Sequence, residues 1–371
     1  MNTTPRIALV HDWLTGMRGG EKCLEVLCEL FPDAPIYTLL HVKGTMSPAI
    51  ESRDIRTSFI QHLPAVATKY RSYLPLFPMA IGSLDFSAFD VVISTSHCVA
   101  KGARVRPGGL HICYCHTPMR YVWEMYDEYF GKGKAGVLTR TAMAAAAPGL
   151  RAWDVRTASL VHYYIANSEN VRKRIQLHYR TDAAVIFPPV DTERFSVSNA
   201  GGSYALVVSA LVPYKKVDLA IETFNRLGTR LLIVGKGPEE ERLKSIANAN
   251  VEFLGWRSDE ELTGLYAGCS ELIFPGEEDF GIVPLEAMAC GKPVVAYGKG
   301  GALETVVEGI TGTFFYSHTV EALTEAIARV ASCAASPDRI RKRALEFSRE
   351  RYKKEMHEFI ERKILMFDFK F

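Results

Sequence analysis

With 371 residues, 48% hydrophobic and 23% charged, the chain holds enough apolar material for two cores of ordinary domain size and lacks a disordered or fibrous composition. A net charge of +2 and a pI near 8.0 argue against nucleic-acid binding, and no run approaches the roughly 18 apolar residues of a membrane span. That small charge conceals a polarity, since residues 1–190 carry 21 Lys and Arg against 15 Asp and Glu while residues 191–371 carry 23 against 27, and a basic first half suits an anionic partner.

The chain opens with Asn2-Thr3-Thr4-Pro5 and passes straight into an apolar run, without the basic start and apolar core of a secretion signal; the expected home is the cytoplasm. Apolar runs then alternate with amphipathic stretches from end to end, the mark of parallel sheets covered by helices on both faces. Strands are expected at Arg6–His11, Pro35–Leu40, Asp90–Thr95, Leu110–Tyr114, His162–Ala166 and Ala184–Phe187 in a first Rossmann-like unit. Between the second and third of these, Arg53, Arg56, Lys69 and Arg71 interleave with Phe59, Ile60, Leu63, Tyr70, Tyr73, Leu74, Leu76 and Phe77. The mixture suits either an amphipathic helix packing inward or a face lying on anionic lipid headgroups. Ala142–Ala147 reads as ordinary helix, and Ser168 as the N-cap of a helix through Val171, Ile175 and Leu177.

Pro188-Pro189 through Ser196–Gly202 reads as the linker between domains at 1–190 and 203–349. The second unit repeats the pattern at Tyr204–Ser209, Arg230–Val234, Val251–Leu254, Glu271–Phe274, Pro293–Ala296 and Gly312–Phe315, and a final amphipathic run covers Ala344–Leu365. The eight cysteines fall mostly inside apolar patterns without paired CxxC spacing, which reads as reduced core thiols.

In open α/β sheets ligands bind beyond the carboxyl ends of the strands, so the candidate groups are sought there. The richest stretch is Glu278-Asp279-Phe280-Gly281-Ile282-Val283-Pro284-Leu285-Glu286, with two carboxylates eight positions apart around a glycine turn that should open a helix. Free N–H groups at Phe280–Val283 would receive a phosphate, Glu278 would accept from sugar hydroxyls, and Glu286 from the paired hydroxyls of a ribose. Lys215 and Lys216 stand between a strand end and a helix, where a leaving diphosphate could be neutralised. His116 follows the strand at Leu110–Tyr114, and Arg120, Tyr121, Trp123 and Tyr126 behind it suit either a stacking face for an acceptor sugar or a core patch. His97 and His111 have no motif behind them and read as structural. The first βα connection, Asp12 to Glu21, carries Gly16, Gly19 and Gly20 without the spacing of a dinucleotide fingerprint. Gly235-Lys236 and Trp256-Arg257 each follow a strand and would shape a nucleotide-base pocket. No Asp-x-Asp pair stands ready for a divalent ion, so neither metal nor cofactor is expected.

The segment Glu277–Ala296, EEDFGIVPLEAMACGKPVVA, resembles the E-x7-E signature of family 4 retaining glycosyltransferases, two-domain enzymes of the GT-B fold that use nucleotide sugars. Ser209–Asp218, SALVPYKKVD, is similar to that family's Gly-Arg-x-x-x-x-Lys-Gly segment, and His116–Trp123 resembles its histidine loop. The wording PYKK-VDLAIETFN, EDFGIVPLEA and YGKGGALETV is similar to bacterial mannosyltransferases that build O-antigen and other surface polysaccharides from GDP-mannose. The resemblance implies two Rossmann-like domains with parallel sheets facing a central cleft, and a final helix at about 350–371 that returns to the first. It also implies His116, Lys215 and Glu278 near the reacting centre, Gly19 and Gly20 facing the ligand, a lipid-linked saccharide acceptor at the inner face of the membrane, and retention of configuration. The sequence departs from the pattern where the family's arginine falls on Ala210, and Lys216 takes the family's usual glycine position, a point charge in place of a bidentate clamp. Two other readings are a sugar-nucleotide-binding subunit without activity, which Ala210 favours, and a nucleotide-sugar epimerase.

Overall fold

The computed structural model describes residues 5–131, 136–198, 202–330 and 336–369, and divides into unit 1 (Met1–Pro189 and Tyr352–Phe371) and unit 2 (Val190–Arg351). Asn199–Gly201 of the expected linker and Cys333 lie outside the described residues.

Unit 1 is a seven-stranded parallel sheet of β1 (Ile7–His11), β2 (Ile36–Thr38), β3 (Ile55–Thr57), β4 (Val91–Ser96), β5 (Leu110–Cys115), β6 (Tyr163–Ala166) and β7 (Ala183–Val185), in the order β3-β2-β1-β4-β5-β6-β7. Side chains alternate between faces with the period of the strand. Ala8, Val10 and Val92 enter one apolar cluster, whereas Leu9, Ile93, Ile112 and Tyr114 enter the cluster opposite. The second cluster is completed by Tyr352, Met356, Phe359 and Ile360 of the terminal helix Arg349–Met366.

Unit 2 repeats the plan with β8 (Ala205–Val208), β9 (Leu231–Val234), β10 (Val251–Gly255), β11 (Leu272–Phe274), β12 (Val294–Tyr297) and β13 (Gly312–Phe315), ordered β10-β9-β8-β11-β12-β13. In each sheet the strand order reverses once, at β1/β4 and at β8/β11. Helices leave the two neighbouring strands toward opposite faces there, opening a crevice at the carboxyl edge.

Four expectations are corrected. Strand β3 was unforeseen, because Ile55-Arg56-Thr57 is short, partly exposed and carries no apolar run. The stretch from Phe59 to Phe77 is a string of short turns and helices instead of one amphipathic helix, broken by Pro64 and Pro75. Its Ile60, Tyr70, Leu74 and Phe77 are buried, and Phe59, Leu63, Tyr73 and Leu76 pack against the same core, so its apolar half is spent inward. Arg53 and Arg56 are likewise engaged, on the Cys28 carbonyl and on Asp54 with the Tyr37 hydroxyl. The final run is two helices, Pro337–Leu345 and Arg349–Met366, since Ser348 begins a new helix start by accepting from Arg351 N–H. Finally, the part of the linker that is described is tied down within unit 2. Val190 N–H donates to the Phe347 carbonyl at 3.0 Å, Phe195 is buried, and Arg341 donates to the Phe195 and Thr192 carbonyls.

Among the described residues no helix is long and apolar enough to cross a membrane. A heavily loaded buried interaction of unit 1 joins the turn after β4 to the helix Val137–Ala158. Lys101 is 1% exposed, and its Nζ donates to the Asp154 carbonyl at 2.6 Å and Thr157 Oγ1 at 2.8 Å, with Asp154 Oδ1 at 3.2 Å. The other carboxylate oxygen accepts from Trp123 Nε1 at 2.8 Å and Tyr179 Oη at 3.0 Å. One carboxylate thereby holds three separate segments. Removing its buried cation strands a charge, so Lys101→Met should lower the stability of unit 1 by about 3–5 kcal/mol in urea unfolding followed by tryptophan fluorescence.

Candidate functional site

In unit 1 the loops after β1, β4 and β5 gather a cluster of histidines around the reversal point. Asp12, directly after β1, is fully buried and accepts four backbone N–H bonds from the turn after β4: His97 at 2.7 Å and Cys98 at 3.0 Å on Oδ2, Val99 at 2.6 Å and Ala100 at 2.8 Å on Oδ1. The four amide dipoles replace the hydration that this side chain loses on burial. His97 Nδ1 lies 3.1 Å from the same Oδ2, and the ring packs edge-on to Trp13 at 4.4 Å.

His11 Nδ1 is 2.6 Å from Thr95 Oγ1, and its Nε2 lies 3.7 Å from Glu21 Oε1. Glu21 also caps the helix Gly19–Leu30 by accepting from Arg18 N–H. Burial opposes ionisation of Glu21, yet the His11 ring more than compensates and carries its carboxyl below the usual range. His116 is placed by its own N–H on the Ser96 carbonyl, 2.8 Å away, and its Nε2 is buried with no hydrogen-bond partner among the described residues. Gly20 passes directly over this group: a β-carbon there would stand 3.5 Å from both His11 Cε1 and His116 Nε2. Burial pushes His97 down to about 3 and His116 well below its ordinary value, with neighbouring imidazoles adding to the effect. These rings are neutral acceptors and donors, not phosphate-binding cations.

The residues behind His116 separate. Tyr121 is 8% exposed and tilts against Tyr129, while half-buried Trp123 lies face to face with His178 at 4.3 Å and bonds Asp154, so Tyr121 belongs to the core and Trp123 packs against it with one face covered. Arg120 stands near enough to His97 and His116 to disfavour their protonation. His111 is interior, with Nε2 2.9 Å from Ser94 Oγ, as expected of a structural histidine.

In unit 2 the corresponding reversal point joins the loops after β8 and β11, which carry Lys215 and Glu278. The two side chains form an ion pair, each largely shielded. The backbone of Glu278 is fastened from the other side, where its carbonyl accepts from Gly301 N–H at 2.9 Å. Only glycine serves at 301, because a β-carbon would lie 2.2 Å from Phe280 Cα. Gly281, with φ of +87°, turns the chain into the helix Ile282–Ala289, and only glycine adopts that angle without strain. The N–H groups of Gly281, Ile282 and Val283 therefore begin a helix whose third residue, Pro284, has none to lose.

Glu286 sits one turn further along and is 8% exposed. Its Oε2 accepts from Tyr266 Oη at 2.8 Å, and Arg194 Nη2 is 3.7 Å from Oε1. Burial and then the Glu286 charge hold the Tyr266 phenol well above its ordinary value, so it remains a donor. Arg194 and Tyr266 escaped sequence reasoning: one lies in the linker and the other mid-helix, and no local spacing ties either to Glu286. Lys216 is left-handed at φ +53° as it caps the helix Val217–Leu227, a conformation that costs a lysine roughly 1–2 kcal/mol relative to glycine. Lys236 and Gly235 follow β9, with Gly235 N–H on the Gly255 carbonyl. Trp256, 69% exposed just past β10, offers a free ring face, and Arg257 pairs with Glu261. Among the described residues no three His, Cys, Asp or Glu side chains converge as metal ligands.

Residues 190–347, nearly all of unit 2, match the family described as glycosyl transferases group 1. The GDP-mannose-dependent alpha-(1-6)-phosphatidylinositol monomannoside mannosyltransferase of Mycolicibacterium smegmatis is 35% identical over 192 residues, which cover 43% of this chain and 50% of that protein. The chain spans about half the length of the curated relatives it matches. Over nearly its whole length it shares its fold with sucrose-phosphate synthase from Thermosynechococcus elongatus (TM-score 0.73, 16% identity, 98% of this chain and 100% of that one). The Anabaena protein HepE, solved in complex with UDP, is similar too (TM-score 0.69, 19% identity, 96% and 99%). The fold is therefore GT-B, two Rossmann-like α/β units with parallel sheets.

Two measurements check this account of the site. Because burial depresses the folded-state values of His97, His111 and His116, their contribution to stability is complete above about pH 6.5 and is lost as pH falls toward the folded-state value, about 3 for His97 and His111. Urea midpoints should drop between pH 6.5 and 4, and in His111→Gln the loss should be shallower by roughly 1.4 kcal/mol per pH unit. Lys216→Gly should raise the stability of unit 2 by about 0.5–1 kcal/mol in the same assay, since glycine accepts the left-handed angle but adds unfolded-state entropy.

Proposed function

We propose that this chain is a retaining, metal-independent glycosyltransferase that moves a hexose, mannose from GDP-mannose, onto a hydroxyl of a lipid-linked saccharide in surface polysaccharide synthesis. The observation that carries the reading is the Lys215–Glu278 ion pair beside the N-terminus of the helix Ile282–Ala289. Without a ligand, each charge neutralises the other. An arriving diphosphate offers Lys215 a doubly charged partner and takes the helix amides, which frees Glu278 to accept from the hydroxyls of the attached sugar.

As the bond from the sugar to the diphosphate breaks, negative charge grows on the leaving oxygens, where the ammonium groups of Lys215 and Lys216 and the N–H groups at 281–283 stabilise it. The acceptor hydroxyl then attacks the same face and gives its proton to the departing phosphate oxygen, with no side-chain nucleophile. Glu286, pre-oriented by Tyr266, takes the ribose hydroxyls, and Trp256, Arg257, Gly235 and Lys236 border the base. In unit 1, His116 is the group offered to a sugar hydroxyl, and Gly19 and Gly20 leave the backbone room beside it. Support for mannose comes from the similarity to the mycobacterial mannosyltransferase, which reaches half of that enzyme's length.

Calorimetry across GDP-, UDP-, ADP- and dTDP-sugars should find GDP-mannose bound most tightly, and Glu286→Ala should weaken every nucleotide sugar in the series. Lys215→Ala should lower kcat in a transfer assay by about 10²–10³-fold, roughly 2–4 kcal/mol of barrier. Equal affinity for all four bases would remove guanine from the proposal; wild-type donor affinity in Glu286→Ala would remove the ribose role.

A further inference from the structure

The turn after β4 in unit 1 holds a histidine whose orientation nothing in the proposed transfer has used. His97 keeps 24% of its side chain exposed, between His11 at 6.0 Å and His116 at 6.3 Å between ring centres. Its Nδ1 stands 3.1 Å from Asp12 Oδ2, an oxygen already anchored by two backbone N–H groups and unable to turn away. A lone pair on Nδ1 would repel that anion at this distance, so the proton of the neutral ring belongs on Nδ1. Nε2 then carries the lone pair, and it has no partner among the described residues. Trp13 fixes the ring from the side.

We propose that His97 is a sugar-binding residue whose Nε2 accepts a hydrogen bond from a sugar hydroxyl, and that Asp12 is its positioning residue, locking tautomer and angle across the β1/β4 reversal point. This deepens the glycosyltransferase reading and rests on it. A neutral acceptor suits a hydroxyl and rejects a phosphate, whose oxygens would meet the lone pair. The hydroxyl belongs to either the transferred sugar or the acceptor.

Asp12 variants would strip a carboxylate from four buried N–H groups and are poor probes. Two substitutions of His97 separate the roles. In His97→Gln the side-chain amide reaches the place of Nε2 and abandons Asp12, whereas His97→Asn keeps the contact with Asp12 and withdraws from the ligand. With GDP-mannose and a synthetic pyrophosphate-lipid saccharide, His97→Asn should raise one of the two KM values about tenfold, as loss of one hydrogen bond implies, and His97→Gln should stay nearer wild type. Which KM moves identifies the sugar. The reverse ranking, or two unchanged KM values in variants with wild-type Tm, would overturn the proposal.

A readout independent of turnover uses ¹⁵N-histidine NMR of the full chain. His97 should appear as the Nδ1–H tautomer, with an Nε2 signal that shifts on addition of millimolar octyl mannoside or GDP-mannose. An Nε2–H tautomer, or no shift with either ligand, sinks the idea whether or not the protein transfers sugar. Absence of transfer by the wild type, with the tautomer and shift as stated, would sink only the glycosyltransferase reading.

Discussion

A parallel sheet imposes the constraint from which the rest of this molecule follows. Each strand must run the same way, so each return passes over a face as a helix, and every strand's carboxyl end arrives at one edge. With seven such strands in unit 1 and six in unit 2, loops that are distant in sequence become neighbours wherever the order reverses. His11 to Glu21 meets His97 and His116 at one reversal, and Lys215 meets Glu278 at the other. The candidate chemistry of each unit lies at the place where its topology leaves backbone groups and short loops unclaimed by helix packing.

How the buried charges are satisfied separates scaffold from site. Asp12 is held by four amides and Lys101 by a carbonyl, a hydroxyl and a carboxylate, partners that cannot leave without local unfolding. Lys215 and Glu278, largely shielded as well, are paired side chain to side chain from the loops after β8 and β11. Glu286 stands between these cases. Tyr266 fixes one oxygen, while the contact from Arg194 to the other is long enough to yield to a closer donor. The carboxylate is thus held in one orientation by its neighbours.

Lys216 illustrates how backbone and chemistry can compete at one position. Its left-handed angle is the one that a glycine would take without cost, so the lysine is held there against a backbone preference. A lysine at this place carries a point charge and lacks the planar fork of a guanidinium.

The amino-acid order alone determined those features that local periodicity and turn chemistry encode. The apolar runs announced all six strands of unit 2 and six of unit 1, Ser168 announced its helix start, and Gly281 with Pro284 announced the turn that carries Glu278 and Glu286. Tertiary structure decided whatever depends on partners far along the chain. Whether Trp123 was a stacking face or core turned on Asp154 and His178, which lie 31 and 55 residues away and share no spacing with it. The setting of His97 likewise depends on Asp12, 85 residues earlier, which lies against its ring. The pairing of Lys215 with Glu278 joined two motifs that were legible separately, because only the parallel pairing of β8 with β11 brings them within reach. Periodicity is a property of neighbours in sequence, whereas the setting of a charge depends on neighbours in space, and those are chosen by the sheet.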